Sequence, residues 1–238
     1  MKIVALVPAR CGSKGLPLKN IKMSHNKPLI NYSIEAGLGC PEIEKVYLSS
    51  DNEKYLAIAE SCGASPILRP KELSSDATTM KDVVANFEQT MNQRGNYFDA
   101  IVLLYPVYPL RNSEDLSNII KTFKTLKPEV SLVGMKNSHT HPFLFFDRKK
   151  SGTVTSVIPY EADQFYRRQQ YPHYYELSHW ACVIPSLTIS TLNAQLLNNQ
   201  TYGYLIPDDI PLVNIDTFID YQFADFLLTQ SEYQKRYL

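Results

Sequence analysis

Cysteine, glycine and net charge are all scarce in this 238-residue chain, and each scarcity excludes something. The four cysteines, Cys11, Cys40, Cys62 and Cys182, stand at least 20 residues apart with no CxxC pair. That spacing excludes a zinc knuckle and a dense disulfide scaffold, and it fits a reducing, cytoplasmic setting. Lys and Arg together number 24, as do Asp and Glu. Without a basic excess there is no electrostatic footprint for duplex nucleic acid or an anionic membrane surface. Any anion the protein binds must therefore be met by a local cluster of cations. The apolar run at residues 3–8 is far short of the ~20 residues that span a bilayer. It leads into Pro8 and Arg10 rather than a small-residue cleavage site, so the expectation is a soluble protein that is not secreted. Nine glycines, no repeat and no low-complexity tract leave no flexible tether, so one domain over residues 1–238 is expected.

What is present is an alternation of short apolar runs with longer amphipathic stretches, the pattern of an α/β domain with a mostly parallel sheet. Strands are expected at 3–8, 45–50, 100–105 and 130–135, each ending in a polar or turn segment. Crossover helices are expected at 29–38, 52–61, 80–93 and 113–126 from apolar residues at three- and four-residue spacing. Ser113 with Asp115, and Thr79 with Asp82, suit helix starts. Residues 139–175 break the rhythm and read as an inserted arm: short strands at 143–147 and 153–159, then a loop rich in Tyr, Arg and Gln. Beyond it, 180–185 returns to the main sheet, 187–197 is expected to be helical, and 215–228 forms a terminal helix opened by Asp216 and Thr217.

The segment PARCGSKGLPLKN, residues 8–20, follows directly on the first strand. Ligands of open α/β sheets bind at the carboxyl ends of strands, and this loop offers Gly12 and Gly15 for close backbone approach, Ser13 as a hydroxyl donor, and Arg10, Lys14 and Lys19 as cations. These residues suit a polyphosphate. The loop is neither a Walker motif nor GxGxxG.

This segment resembles the opening of the acylneuraminate cytidylyltransferase family, the enzymes that make CMP-activated nonulosonic acids such as CMP-sialic acid. KPLI at 27–30, SSD at 49–51, LRP at 68–70, ELSSD at 72–76, PLR at 109–111, RQQ at 168–170 and IDT at 215–217 resemble the family's later motifs in the same order. Singly each match is short; the ordered set covers essentially the whole chain. The resemblance implies a three-layer Rossmann-like nucleotidyltransferase fold with a small dimerisation arm. It implies a reaction in which the anomeric hydroxyl of a 2-keto sugar acid attacks the α-phosphate of CTP and pyrophosphate leaves. On the family's pattern Arg10 and Lys19 stabilise the charge that develops on the phosphates. Ala9, Gly12, Ser13, Lys14, Asn20 and Arg69 help hold the nucleotide, and the run that includes Thr78 and Thr79 lies near the cytosine edge. For Arg69 a surface ion pair is the competing reading.

Mg²⁺ is expected to accompany the triphosphate. The family presents AspIleAspThr where this chain has Asn214-Ile215-Asp216-Thr217. Asp216 is then the metal ligand, and Asn214 is a weaker oxygen ligand or a group behind it. For Asp216 an N-cap on the last helix competes, and Asp209 or Asp51 could supply a further carboxylate. On the acceptor side, the family's GlnProThrSerProLeuArg is replaced by residues 105–111. Tyr105, Tyr108 and Arg111 there, with Arg168, Gln169 and Gln170, are the candidate sugar contacts. Two phenols make a bulkier, less polar pocket, so the sugar is expected to differ from ordinary N-acetylneuraminate. Arg168 suits the sugar carboxylate through a two-point fork.

Three readings stay open: the nonulosonate cytidylyltransferase; a nucleotidyltransferase for Kdo, an amino-Kdo-like acid or another NTP; and a non-catalytic nucleotide- or sugar-binding protein. His139 and His141 read as loop or interface histidines rather than a metal pair. The Tyr-rich arm is expected to bury against a second copy in a homodimer.

Overall fold

A computed structural model describes all residues except Lys14, His139, Ala162, Tyr166 and Leu238; for Arg168 only the backbone is described. In chain order the elements are β1 (Ile3–Pro8), β2 (Met23–Ser24), β3 (Lys27–Pro28), α1 (Leu29–Leu38), β4 (Lys45–Ser50), α2 (Glu53–Ser61), β5 (Ser65–Leu68), α3 (Met80–Gln93), β6 (Ala100–Leu103) and α4 (Ser113–Lys124). Then come β7 (Ser131–Asn137), β8 (Phe146–Arg148), β9 (Val154–Ser156), β10 (Tyr175–Pro185), β11 (Thr201–Leu205), α5 (Phe218–Thr229) and α6 (Ser231–Tyr237).

Seven strands form one sheet in the order β11-β7-β10-β6-β1-β4-β5. β1 pairs in parallel with β4 and β6, β4 with β5 and β11 with β7, while β10 runs antiparallel between β6 and β7. The side chains of β1 show why the sheet is covered twice. Ile3, Ala5 and Val7 join a core with Ile30 and Ile34 of α1, Tyr55 of α2 and Leu116 and Ile119 of α4. Val4 and Leu6 point to the opposite face, where Val84, Phe87 and Met91 of α3 pack with Ile189 and Leu196. A third cluster sets Ala224, Leu227 and Leu228 of α5 against Leu16, Leu29 and Ile215, clasping the C-terminal segment to the loop after β1. The carboxyl ends of β1, β4, β5 and β6 therefore deliver loops 9–20, 51–52, 69–79 and 104–112 to one edge.

Helix starts follow local side-chain chemistry. Thr79 and Asp82 form a reciprocal capping box on α3, and Asn112 rather than Ser113 caps α4, paired with Asp115. The expected helix at 187–197 is a correction: only a 3₁₀ turn at Ser186–Thr191 forms. The Asn193 side chain takes the Gln195 and Leu197 N–H groups, and Leu196 adopts a positive φ of 61°, so a helix cannot continue. In the arm, β8 and β9 are shorter than expected. Pro142 opens a 3₁₀ turn in which His141 accepts the Phe143 N–H, consuming the start of the first run. Five elements have no counterpart in the sequence expectations: the short pair β2 and β3, β5, whose Pro66 is tolerated at the sheet edge, β11 and α6. No described helix is long and apolar enough to cross a membrane.

Candidate active site

At the strand edge lies a cavity of about 380 Å³ lined by Arg10, Ser13, Gly15, Lys19, Asn20, Arg69 and Asp216 on its polar side, with Met80, Tyr105, Pro106 and Val107 completing it. Its size suits a small molecule. The loop after β1 is tied down through its backbone. Ala9 N–H donates to the Ser49 carbonyl at 2.9 Å, Cys11 N–H to Asp51 Oδ1 at 2.9 Å, and the buried Asn20 amide to the Arg10 carbonyl at 2.9 Å. Asn20 thus orients the backbone that carries Arg10. Gly15 is required by close approach: a Cβ there would collide with the Asp216 carbonyl oxygen, whereas one at Gly12 would meet open space.

Lys19 and Asp216, 197 residues apart, meet in the cavity. Lys19 Nζ donates to the Ile215 carbonyl at 2.6 Å and to Asp216 Oδ1 at 3.0 Å. The other carboxylate oxygen of Asp216 accepts from Asn214 Nδ2 at 2.8 Å. Ile215 N–H donates to the Val107 carbonyl at 2.9 Å, so the 104–112 loop backs the same segment. Thr217, not Asp216, caps α5, reciprocated by Asp220. The capping alternative for Asp216 is thereby removed.

Arg10 directs Nη2 to Asp76 at 2.7 Å and Nη1 to the Ser74 carbonyl at 3.4 Å. Arg69 is only 3% exposed, yet its Nε and Nη2 find no partner among the described residues. Burial depresses its pKa, while Asp51 nearby favours its charge. The surface ion-pair reading of Arg69 fails on this burial. Two orphaned donors of a buried guanidinium beside a cavity are what a ligand with acceptor atoms would satisfy.

Arg111 requires a correction. Expected at the sugar, it is 2% exposed and donates to the Trp180 carbonyl at 2.6 Å, to Ser33 Oγ at 3.1 Å and to the Tyr105 carbonyl at 3.2 Å. Burial pulls its pKa down to about 10, against the opposing influence of Tyr108 and Asp115. Arg111 pins the 104–112 loop from behind. Tyr105 lines the cavity, its phenol pushed up by burial and its ring 5.7 Å from His179. Tyr108 is half-buried, and burial raises its phenol too.

Thr78, Thr79, Gln169 and Gln170 are not part of the cavity lining. Thr79 Oγ1 is engaged with Asp82, and Thr78 Oγ1 donates to the Glu72 carbonyl. Gln169 and Gln170 are exposed on a 3₁₀ turn of the arm. Lys14 and the Arg168 side chain lie outside the described residues, as does His139. His141 bonds the Pro172 carbonyl among aromatic rings, in keeping with a loop role.

For a divalent cation, the donor set is one carboxylate. Among the described residues no group of three His, Cys, Asp or Glu side chains gathers. Asp209 is paired with Arg236 in a different cavity, and Asp51 holds the Cys11 N–H. Asp216, 64% exposed at its side chain, suits an ion held mainly by phosphates and water, since Mg²⁺ commonly takes one or two carboxylates. Asn214 directs its amide nitrogen at Asp216 and so orients that carboxylate. Sequence reasoning did not single out Asp76 as a partner of Arg10. Its place at the end of the ELSSD motif, in a loop after β5, was the available signal.

A family model described as cytidylyltransferase matches residues 4–202. The N-acylneuraminate cytidylyltransferase of Escherichia coli O18:K1:H7 is 39% identical over 140 residues, 58% of this chain and 32% of that protein. The N-acylneuraminate cytidylyltransferase of Streptococcus agalactiae serotype V is 28% identical over 241 residues, 98% of this chain and 56% of that one. The chain thus spans about a third to a half of the length of these curated relatives. The solved structure of CMP:2-keto-3-deoxy-manno-octonic acid synthetase complexed with CTP superposes with a TM-score of 0.68 at 17% identity, covering 97% of this chain and 99% of that one, a likeness of fold.

Proposed function

Since this chain belongs to the cytidylyltransferase family, we propose that it transfers the cytidylyl group of CTP to the anomeric hydroxyl of an acidic 2-keto sugar of the nonulosonic class and releases pyrophosphate. The observation that carries this is the buried Arg69, two of whose donors find no partner among the described residues, beside a cavity that also holds Arg10 and Lys19. Leaving such donors unsatisfied costs about 1–3 kcal/mol each. A nucleotide supplies acceptors for them, and its phosphates are opposite in sign to the Arg10, Lys19 and Arg69 side chains that converge on the cavity.

In this reading Arg10 and Lys19 sit beside the phosphates, where charge grows on the α-phosphate oxygens and on the departing pyrophosphate. Asp216 holds Mg²⁺, which when bound neutralises phosphate charge. Asn214 keeps Asp216 oriented, and Arg111 keeps the 104–112 loop against residue 215. Arg168 is assigned to the sugar carboxylate. The Lys19–Asp216 contact favours an enzyme over a binding protein, because it focuses a cation and a metal-binding carboxylate on one point.

A homodimer through the arm forms part of the proposal, supported by exposed Phe145, Phe146, Val154 and Val157 on residues 139–175. A cytoplasmic location is supported by four unpaired cysteines, two of them buried. The second reading, a shorter acceptor such as Kdo, is favoured by the bulky Tyr105 in the cavity wall. Pyrophosphate release measured over the four NTPs and a panel of 2-keto sugar acids, with and without Mg²⁺, separates these. Release with CTP and a nonulosonic acid supports the first reading, release with Kdo alone supports the second, and no release with any pair removes both.

A further inference from the structure

Helix α5 is apolar on two opposite sides. Ala224, Leu227 and Leu228 are buried in the cluster with Leu16, Leu29 and Ile215. The other side carries Ile219, Phe223 and Phe226, at the i, i+4, i+7 spacing of a single stripe. These three are 75%, 52% and 57% exposed, and Phe218 on the same helix and Met23 on β2 are each about half exposed. β2 lies along the helix, since Tyr221 Oη donates to the Met23 carbonyl at 2.6 Å and Ser24 Oγ to Asp225 at 2.7 Å. A helix that is apolar all round is normally a buried one.

Area and charge together say what fits this face. At the contact area typical of large apolar side chains, the five residues present roughly 500 Å² of apolar surface. A standard protein interface takes roughly 800 Å² from each partner, of which about 60% is apolar, so the stripe supplies the apolar share of one whole face. The two acids of α5 are turned to their own chain. Asp220 accepts the N–H groups of Asp216 and Thr217, and Asp225 accepts Ser24 Oγ and the His25 N–H. The helix has no Lys or Arg, and Gln222, Thr229 and Gln230 flank the stripe. Helices that lie on membranes carry basic residues on their polar flank, so a lipid surface is the poorer fit. The stripe also matches itself. A second copy laid antiparallel about a two-fold axis sets Ile219 opposite Phe226 and brings the two Phe223 rings near the axis, with no like charges opposed.

We propose that the outer face of α5 binds the same face of a second copy of this chain, in a contact separate from the arm. This inference does not depend on which ligand fills the cavity. α5 begins directly after Asp216 and Thr217, so the contact braces the segment that carries Asp216. Where the arm pairs as well, two different two-fold interfaces build a four-chain assembly.

The test is the mass of the full chain in solution, by sedimentation equilibrium at micromolar concentration. The wild type is expected at two or four times the chain mass, and Phe223→Glu is expected to halve it. Ile219→Lys, at the most exposed position of the stripe, is expected to do the same and repeats the test should Phe223→Glu not fold. Leu187→Glu, at another exposed apolar residue, is expected to leave the mass unchanged. A monomeric wild type overturns the inference, and co-flotation of that monomer with phosphatidylcholine–phosphatidylglycerol vesicles would make lipid the occupant instead. Halving by Leu187→Glu as well overturns it by removing the specificity of the face. An assembly split by Phe146→Glu on the arm but untouched by both α5 variants is the arm dimer alone; it overturns this inference and leaves the arm contact standing.

Discussion

Replacing Lys19 by alanine separates transition-state stabilisation from folding. The Lys19 ammonium donates to the Ile215 carbonyl and the Asp216 carboxylate. Asp216 is largely exposed, so the ion pair contributes at most about 1 kcal/mol to stability, and the neutral carbonyl bond adds about 0.5–1.5 kcal/mol. Together these amount to about 1–2 kcal/mol, a Tm decrease of about 2–8 °C for a chain of this length. The chemical step loses more. A fixed cation beside developing phosphate charge contributes about 2.7–4 kcal/mol, which is about 100- to 1000-fold in kcat. The assay is the initial rate of pyrophosphate release at saturating CTP and sugar acid, run well below the Tm of both proteins. A kcat within about threefold of wild type, or a loss that merely tracks the unfolded fraction, refutes the reasoning.

Other perturbations follow the same geometry. Arg111→Lys keeps a charge but not the fork that spans Trp180, Ser33 and Tyr105; urea unfolding is expected to show a loss of about 1–3 kcal/mol with the KM for the sugar acid unaltered, and a selective rise in that KM contradicts the positioning role. Asn214→Asp removes the amide donor and adds a carboxylate two residues from Asp216, so the Mg²⁺ concentration for half-maximal rate is expected to fall; an unchanged or higher requirement shows that residue 214 has no influence on the ion. Asp220 is held below the usual carboxylate range, first by the Thr217 backbone N–H. A depressed acid stabilises the fold above its unfolded value of about 4 and loses that contribution as pH falls. The Tm gap between wild type and Asp220→Asn is therefore expected at neutral pH and to close below about pH 4; a gap independent of pH contradicts the assignment.

Much of the fold was legible because the sheet is covered on both faces. Residues 3–8 and 45–50 are uninterrupted runs bounded by turns, and α1 and α3 carry full amphipathic periods, so their limits match the expected ones. β10 is different: direction is a property of pairing, and nothing local in residues 175–185 distinguishes an antiparallel strand from a parallel one. The failed helix at 187–197 shows side chains overriding periodicity, since Asn193 captures N–H groups that a helix would have used. At the site, the cations of residues 8–20 could be read from one loop that follows the first strand. The pairing of Lys19 with Asp216 and of Arg10 with Asp76 could not, because each joins segments that only the sheet brings together. Arg111 was misplaced for a related reason. A motif places an arginine near a pocket, but whether its guanidinium faces the cavity or the core depends on Ser33 and Trp180, which are remote in the chain.

The most direct test of cytidylyl transfer is phosphorus NMR of the wild-type protein incubated with CTP, Mg²⁺ and a panel of nonulosonic acids. The account predicts that the three CTP resonances give way to pyrophosphate and one new phosphodiester signal, matched by the mass of a CMP-sugar acid. Persistence of CTP with every acid, or its conversion to CDP and inorganic phosphate without a CMP-linked product, contradicts it.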